Sequence, residues 1–482
     1  MGKICSQDFI KINSAFHHLF LRLSRRIDWR HLVCNKGFIF FYLFLIAFFI
    51  LIAQPLPKEI ALKATDYFRI QSELGRFSGA VLIGYKGKII FEKGFGLANY
   101  ELNVPIASRT KFRLGSLTKS FTATAILQLA ERGLLNLNDL VSKYLPDYPQ
   151  GDKITIHHLL THASGIPNFT ALPAYPKFKL NPTTLNRTIG LFRQLPLEFE
   201  PGTKFRYSNS NYILLTAIIE KVSGQNYADY LRENIFLPLN MLETGYDDPN
   251  SIIKYRARGY SLKDGEVINA PYIDMTVPAG AGGLLSTVGD LFAWDQGLRS
   301  DQILKAASRE KMFTPYLENY GYGWVIKKIN GRLVAQHSGS IEGFVSQMIR
   351  FLDDDLCLII LSNFDFAPIG QFTNDMLSLL FGKPINWPKE RKAISISAEI
   401  FNRYCGEYEV APNITIKIFQ EKSRFWSQVS GQPKMEILPE SETKFFVRLI
   451  EAEITFILDS EGKTTALVLN QGGKDHLAKK IR

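Results

Sequence analysis

Cysteine is scarce in this chain, four among 482 residues, which excludes a fold held by a disulfide framework. Cys5 and Cys34 precede the one long apolar run, and Cys357 lies inside Leu356–Leu361, where a free cysteine behaves as a small core hydrophobe. Only a Cys357–Cys405 bridge is left as a candidate pairing. Histidine is sparse too, at eight, and no His-Glu-x-x-His element occurs. His158 and His162 have i, i+4 spacing, but Leu159 stands where the catalytic glutamate would be, so no metal site is expected. Low-complexity tracts and recurring periods of roughly 20 to 50 residues are missing, which excludes solenoids and propellers. The positive excess does not gather into a folded basic patch, and nucleic-acid binding is not expected.

Charge and hydropathy instead converge on the first sixty residues. Gly37–Ala53 (GFIFFYLFLIAFFILIA) is a run of 17 residues without a charge, apolar all round. At about 1.5 Å of rise per residue it is at the short end for crossing a bilayer core. Seven basic residues and two acidic ones precede it, supplying +5 of the net +11. The positive-inside rule then reads residues 1–36 as a cytoplasmic tail and 37–53 as a transmembrane signal-anchor. The rest of the chain would lie outside the cytoplasm, in the periplasm or at the cell exterior of a bacterium. Leu51-Ile52-Ala53 offers a poor cleavage site, so secretion after signal cleavage is the alternative.

Beyond the anchor the pattern is α+β. Residues 58–74 read as a helix feeding a hairpin of Gly79–Gly84 and Lys88–Phe95. Helices are expected over Gly115–Arg132, Tyr212–Val222 and Gln371–Leu380, the first two stopped by glycine. Residues 166–202, rich in proline and aromatics, read as a long structured excursion. Strands are expected at Gly321–Lys327, Leu333–Gln336, Phe344–Phe351 and Leu356–Leu361. Strands at both ends with helices between imply one antiparallel sheet built from the terminal segments, flanked by a helical subdomain. That domain spans 58–382. Residues 383–394 form a linker with prolines and charges, and 395–482 carry five or more short alternating runs, the pattern of a small β-barrel or sandwich.

Ser116-Leu117-Thr118-Lys119 opens the first long helix, where positions i and i+3 share a face and Lys119 can reach Ser116. A serine hydroxyl needs a neighbouring base, and a lysine serves only if burial or another cation lowers its pKa. Tyr207-Ser208-Asn209 and His337-Ser338-Gly339-Ser340 follow in the order Ser-x-x-Lys, Tyr-x-Asn, His-x-Gly. Here the sequence resembles the serine β-lactamase and DD-carboxypeptidase superfamily, on the side of the class C β-lactamases and related esterases. Ile154–Pro167, Phe205–Leu215, Gly280–Leu291 and Gly321–Trp324 resemble further landmarks of that family, in its order, and Tyr404–Tyr408 resembles its appended C-terminal barrel.

The resemblance implies a β-lactamase/transpeptidase-like fold and hydrolysis of an ester, amide or peptide through an acyl-enzyme, without metal or organic cofactor. It implies Ser116 as nucleophile and Lys119 with Tyr207 as general-base pair, Tyr207 activating the deacylating water. Asn209 would hydrogen-bond the substrate, beside His337 and Gly339, and the N–H groups of Ser116 and Ser340 would form the oxyanion hole. His337 stands where β-lactamases carry lysine. An imidazole mostly neutral at pH 7 receives a carboxylate poorly, although its one N–H suits an ester or amide. Its other reading is a hydrogen-bonded strand residue beside the cleft. A β-lactamase proper and a β-lactam-binding sensor that does not turn over are the alternatives. Asp353–Asp355 reads as a polar turn rather than a Ca²⁺ loop, the sequons at Asn168, Asn186 and Asn413 carry no weight in a bacterial host, and oligomeric state is not legible.

Overall fold

Helix α1 (Pro57–Glu73) opens the part of the chain that the computed structural model describes, residues 57–482 apart from Asn386, Glu390, Pro433, Arg448, Gly472 and Gly473. The basic tail 1–36 and the anchor 37–53 lie outside the described residues. Among those described, no helix is long and apolar enough to cross a membrane. Ile60, Ala64, Tyr67, Phe68 and Gln71 form the buried stripe of α1, spaced as one helical face requires. Phe68 seats that stripe on Phe77 and Phe95, at 4.8 and 5.7 Å between ring centroids.

Strands β1 (Gly79–Tyr85) and β2 (Lys88–Phe95) form the expected hairpin, turning at Lys86 and Gly87, both in the left-handed region. Helices α2 (Thr118–Glu131) and α3 (Asn209–Ser223) follow, then the hairpin β3 (Tyr260–Lys263) and β4 (Glu266–Asn269), and helix α4 (Val288–Gly297). The chain returns as β5 (Val325–Ile329), β6 (Arg332–Ile341), β7 (Phe344–Phe351) and β8 (Leu356–Ser362), and then as helix α5 (Ile369–Leu380). These strands make one sheet in the order β5-β6-β7-β8-β1-β2. Its two ends meet where β1 pairs with β8, from Gly79 opposite Ser362 to Tyr85 opposite Leu356. All eight residues of β7 and all seven of β8 are buried, as expected of central strands covered on both faces.

Two strand readings shift. Gly321–Trp324 is a turn, and the strand starts at Val325. Strand β6 runs five residues past Gln336, because His337–Ile341 keep their register with β7. The polar turn at Asp353–Asp355 is confirmed, with Asp354 paired to Arg332 and Asp355 to Arg299. Cys357 and Cys405 are both free, so no bridge joins them. Cys357 sits within the sheet opposite Gly84 and Arg350.

The C-terminal strands form a closed barrel of eight, β9 (Gly406–Ala411), β10 (Ile414–Glu421), β11 (Arg424–Val429), β12 (Met435–Pro439), β13 (Lys444–Val447), β14 (Ala452–Leu458), β15 (Thr464–Gln471) and β16 (Lys474–Lys480). Strand β16 (KDHLAKK) has one buried side chain, Ala478, which is why no apolar alternation announces it. Tyr404, Tyr408, Phe445 and Phe456 fill the barrel, with Tyr404 stacked on Phe456 at 4.2 Å.

Pro57–Leu379 and Pro384–Arg482 form one compact unit. The stretch read as a linker is strapped down: Arg391 pairs with Glu440 and Glu453, and Ile394 N–H donates to Pro439 O at 2.8 Å. The barrel also holds the catalytic part at two places. Arg76 donates to the carbonyls of Val447 and Ile450, and Arg424 pairs with Glu266 at the tip of the β3–β4 hairpin.

Helix α4 is locked to β7 through charge. Asp295 meets Arg350 at 2.6 Å and Arg299 at 2.9 Å, and both Asp295 and Arg350 are 1% exposed. Removing one member of a buried pair leaves the other uncompensated, at a cost of about 3–5 kcal/mol. Asp295→Ala is therefore expected to lower the urea midpoint of the catalytic unit markedly, and an unchanged midpoint would contradict this reading of the core.

Candidate active site

Ser116 owes its position to two glycines. Gly115 has φ +53°, and it ends the extended approach to a single 3₁₀ turn, Gly115–Leu117, before α2 begins. The sequence reading placed one helix over Gly115–Arg132, whereas the nucleophile stands in the tighter turn ahead of it. A Cβ at Gly115 would lie 2.9 Å from the Ser340 nitrogen, and one at Gly339 would lie 1.9 Å from the Leu114 carbonyl oxygen. Bare backbone is thus required on both sides for β6 and the Ser116 turn to touch. Ser346 on β7 secures the contact, its hydroxyl donating to Leu114 O at 2.7 Å.

Lys119 projects from the first turn of α2 and is wholly buried. Its Nζ lies 3.0 Å from Ser116 Oγ, 2.8 Å from Asn209 Oδ1 and 2.7 Å from Ala281 O. Among the described residues no carboxylate pairs with it, and burial pushes its pKa well down. A neutral amine has two N–H groups and one lone pair. Ala281 O and Asn209 Oδ1 can only accept, so they take the two N–H groups and leave the lone pair for the Ser116 proton. The rings of Tyr207 and Tyr212 lie 4.9 and 5.5 Å from Nζ, and their faces can steady the cation once that proton arrives.

Asn209 begins α3 and is held at each end of its amide. Its Nδ2 donates to Thr170 Oγ1 at 3.1 Å, and its backbone N–H donates to Asn168 Oδ1 at 3.1 Å. The Asn168-Phe169-Thr170 triplet therefore serves the site, although the sequence showed it only as a sequon pattern. Tyr207 lies just before α3 with a buried hydroxyl. Burial raises its pKa, and Ser116 lies near enough to offset a little of that, but no protein group meets the hydroxyl within hydrogen-bonding geometry.

His337 is brought close to these groups and yet kept from the cleft. Its Nδ1 is 2.7 Å from Ser338 O, which can only accept, so Nδ1 carries the proton. Nε2 then accepts from the Tyr320 hydroxyl at 3.0 Å. No ring N–H remains for a substrate, so the expected hydrogen bond from His337 to an ester or amide has no donor in this geometry. The ring lies in the strand residue's place beside the cleft. Burial and then Lys119 push its pKa down to about 3.

A second imidazole completes this wall. His162 accepts the Ser208 N–H at Nδ1, 3.2 Å away, and its ring packs 4.3 Å from that of Tyr207. His158 instead helps cap its own helix through Thr155, so the two histidines serve different neighbours. Tyr320 and His162 were missed as site residues, although both stand in or beside segments already marked as landmarks.

Ser116, Asn209 and Ser340 line a cleft of about 450 Å³ together with Thr170, Tyr175, Glu342 and Asp365. Residues 166–202 form one wall, and Lys179 from that excursion pairs with Glu342 across to the β6–β7 turn. A serine hydroxyl 3.0 Å from a buried lysine amine of lowered pKa, with Tyr207 and Asn209 beside that amine, is the arrangement of a serine hydrolase.

The chain belongs to the beta-lactamase family, which matches residues 65–377. Residues 390–478 match a family described as a domain of unknown function (DUF3471). The chain is 33% identical over 441 residues to penicillin-binding protein 4* of Bacillus subtilis strain 168, covering 85% of this chain and 96% of that one. Among solved structures it resembles the octameric penicillin-binding protein homologue from Pyrococcus abyssi, at 28% identity and a TM-score of 0.62, over 86% of this chain and 99% of the other. A D-stereospecific amidohydrolase from Streptomyces sp. aligns at 26% identity and a TM-score of 0.57, over 66% and 98%.

The buried imidazole also sets a pH response. The folded state refuses a proton that unfolded His337 binds near its ordinary pKa of 6.5. Stability from this group is present above about pH 6.5 and declines as the pH falls toward about 3. His337→Gln is expected to flatten that part of the stability–pH curve, measured by urea unfolding at several pH values. A slope unchanged by the substitution would count against the buried neutral ring.

Proposed function

We propose that the protein is a serine peptidase or amidase that hydrolyses uncharged-centre amides and esters, D-amino-acid amides and peptides foremost, through an acyl-enzyme on Ser116. The observation that carries this reading is the Lys119 amine, buried without a carboxylate and 3.0 Å from Ser116 Oγ. Ser116 Oγ attacks the carbonyl carbon while its proton passes to Lys119, and the oxyanion is received by the N–H groups of Ser116 and Ser340. The proton then moves to the leaving amine or alcohol as the C–N or C–O bond breaks. Water repeats the sequence in reverse with Tyr207 as relay. The raised pKa of Tyr207 makes it a neutral phenol that passes a proton on, rather than a standing phenolate. Asn209 and Gly339 border the acyl group.

Substrate class follows from charge. Two carboxylates, Glu342 and Asp365, line the cleft; Lys179 neutralises the first, and no lysine or arginine lines the cleft itself. No cation lines the cleft wall to receive a carboxylate beside the scissile bond, which favours an amide or ester over a β-lactam. The resemblance to a D-stereospecific amidohydrolase supports the same choice. Turnover of D-alanyl p-nitroanilide and of a short-chain p-nitrophenyl ester is expected to exceed that of nitrocefin. Ser116→Ala should abolish turnover, while Lys119→Ala and Tyr207→Phe should each lower kcat by about 10²-fold or more, the three acting as a unit. Efficient nitrocefin hydrolysis without amide turnover would make this a β-lactamase, and a stable penicilloyl adduct by intact mass would make it a sensor.

We also propose that the catalytic unit is exported and tethered, on the strength of the uncharged run Gly37–Ala53 and its basic flank. Alkaline carbonate should then fail to extract the protein, and protease added to spheroplasts should digest it. A soluble fragment beginning near Gln54 would show cleavage and secretion instead.

A further inference from the structure

A second cavity, of about 460 Å³, adjoins the Ser116 cleft and shares Ile273 and Glu342 with it. Its character is opposite. Arg113, Arg256 and Arg258 line it, against Glu342 as the one carboxylate. Asp247, fully buried, takes Arg113 Nε and Arg256 Nη1 on its two oxygens, each at 2.7 Å. That pairing fixes two guanidiniums side by side and leaves their other N–H groups without a protein acceptor among the described residues. Arg258 is held by Glu101 at 3.1 Å and by Asn269 at 2.7 Å, and Glu342 is already neutralised by Lys179. Counting the wall and its direct ion partners, four cations stand against three carboxylates. Two planar guanidiniums organised from behind by one carboxylate are well suited to receive an anion in front.

The C-terminal part of strand β6 and the turn after it order the two cavities along the substrate. His337, beside the proton-handling Tyr207 at 6.3 Å between rings, comes first, Ser340 follows near the strand's end, and Glu342 stands in the turn beyond it. The leaving group departs toward the proton donor, so the acyl portion extends past Ser340 toward Glu342 and the arginines.

We propose that the arginine-lined cavity is an acyl-side subsite for an anionic group, a carboxylate carried by the substrate away from the bond that is cut. This rests on the hydrolase reading above. The enzyme thus offers no cation at the scissile end and two guanidiniums one cavity further on.

The test compares kcat/KM for N-succinyl-D-alanyl and N-acetyl-D-alanyl p-nitroanilides with the full-length protein. The succinyl substrate is expected to be preferred roughly tenfold or more, the scale of one charge-assisted hydrogen bond. The preference should shrink as salt is raised. Arg256→Gln should bring the ratio to about one, and Arg256→Lys should keep part of it. Asp247 retains Arg113 in both variants, so the buried carboxylate stays paired. Equal rates for the two substrates in the wild type, or a ratio that Arg256→Gln does not change, would overturn the subsite and leave the hydrolase reading standing. Turnover of neither substrate would overturn the hydrolase reading, and the subsite with it.

Discussion

A lysine amine without a counter-ion, closed off from water, is the constraint on which the rest of this active site depends. In water Lys119 would be a cation, useless as a base. Packed between α2, α3 and the Ala281 backbone, it finds two acceptors for a neutral amine and none of the negative charge that would hold it protonated. Every neighbouring choice is consistent with that state. Asn209 presents its oxygen to Nζ because Thr170 takes the other end of the amide. Tyr207 and Tyr212 offer ring faces, which tolerate the transient cation without stabilising it permanently.

The same logic explains the two buried histidines. A protonated imidazole beside Lys119 would compete with it for the site's capacity to carry charge. His337 and His162 are both driven to the neutral form by burial and by Lys119 itself. Tyr320 and Ser338 fix the His337 tautomer, so the ring acts as a rigid uncharged wall rather than a ligand clamp. Charge is exported to the rim, where Glu342 and Asp365 face the cleft and three arginines face the adjoining cavity.

The barrel connects to this rim through the β3–β4 hairpin. Its tip is held by Arg424, and Trp426 packs so closely that a Cβ at Gly265 would come within 2.9 Å of its ring. Gly259 and Asn269, at the other end of the same hairpin, line the arginine cavity. A rigid support behind a specificity wall fits a closed barrel, which has no free edges and deforms little.

The sequence by itself determined the class of fold and marked Ser116, Lys119, Tyr207 and Asn209 as candidates for the chemistry. The i, i+3 spacing already put Lys119 within reach of Ser116, and the strands of the catalytic sheet are legible because buried strands read as apolar runs such as Leu356–Leu361. Strand β16 was not legible, since a barrel strand with one buried residue has no period to detect. Neither was the tight turn that carries Ser116, which lies where β6 presses against Gly115. Tertiary structure alone decided the protonation and aim of each group. Spacing cannot say that Lys119 lacks a carboxylate, that both nitrogens of His337 are already occupied, or that Arg113, Arg256 and Arg258 converge beside the cleft. A pKa and a free N–H are properties of what surrounds a side chain in space, and those surroundings come from segments far apart in the chain.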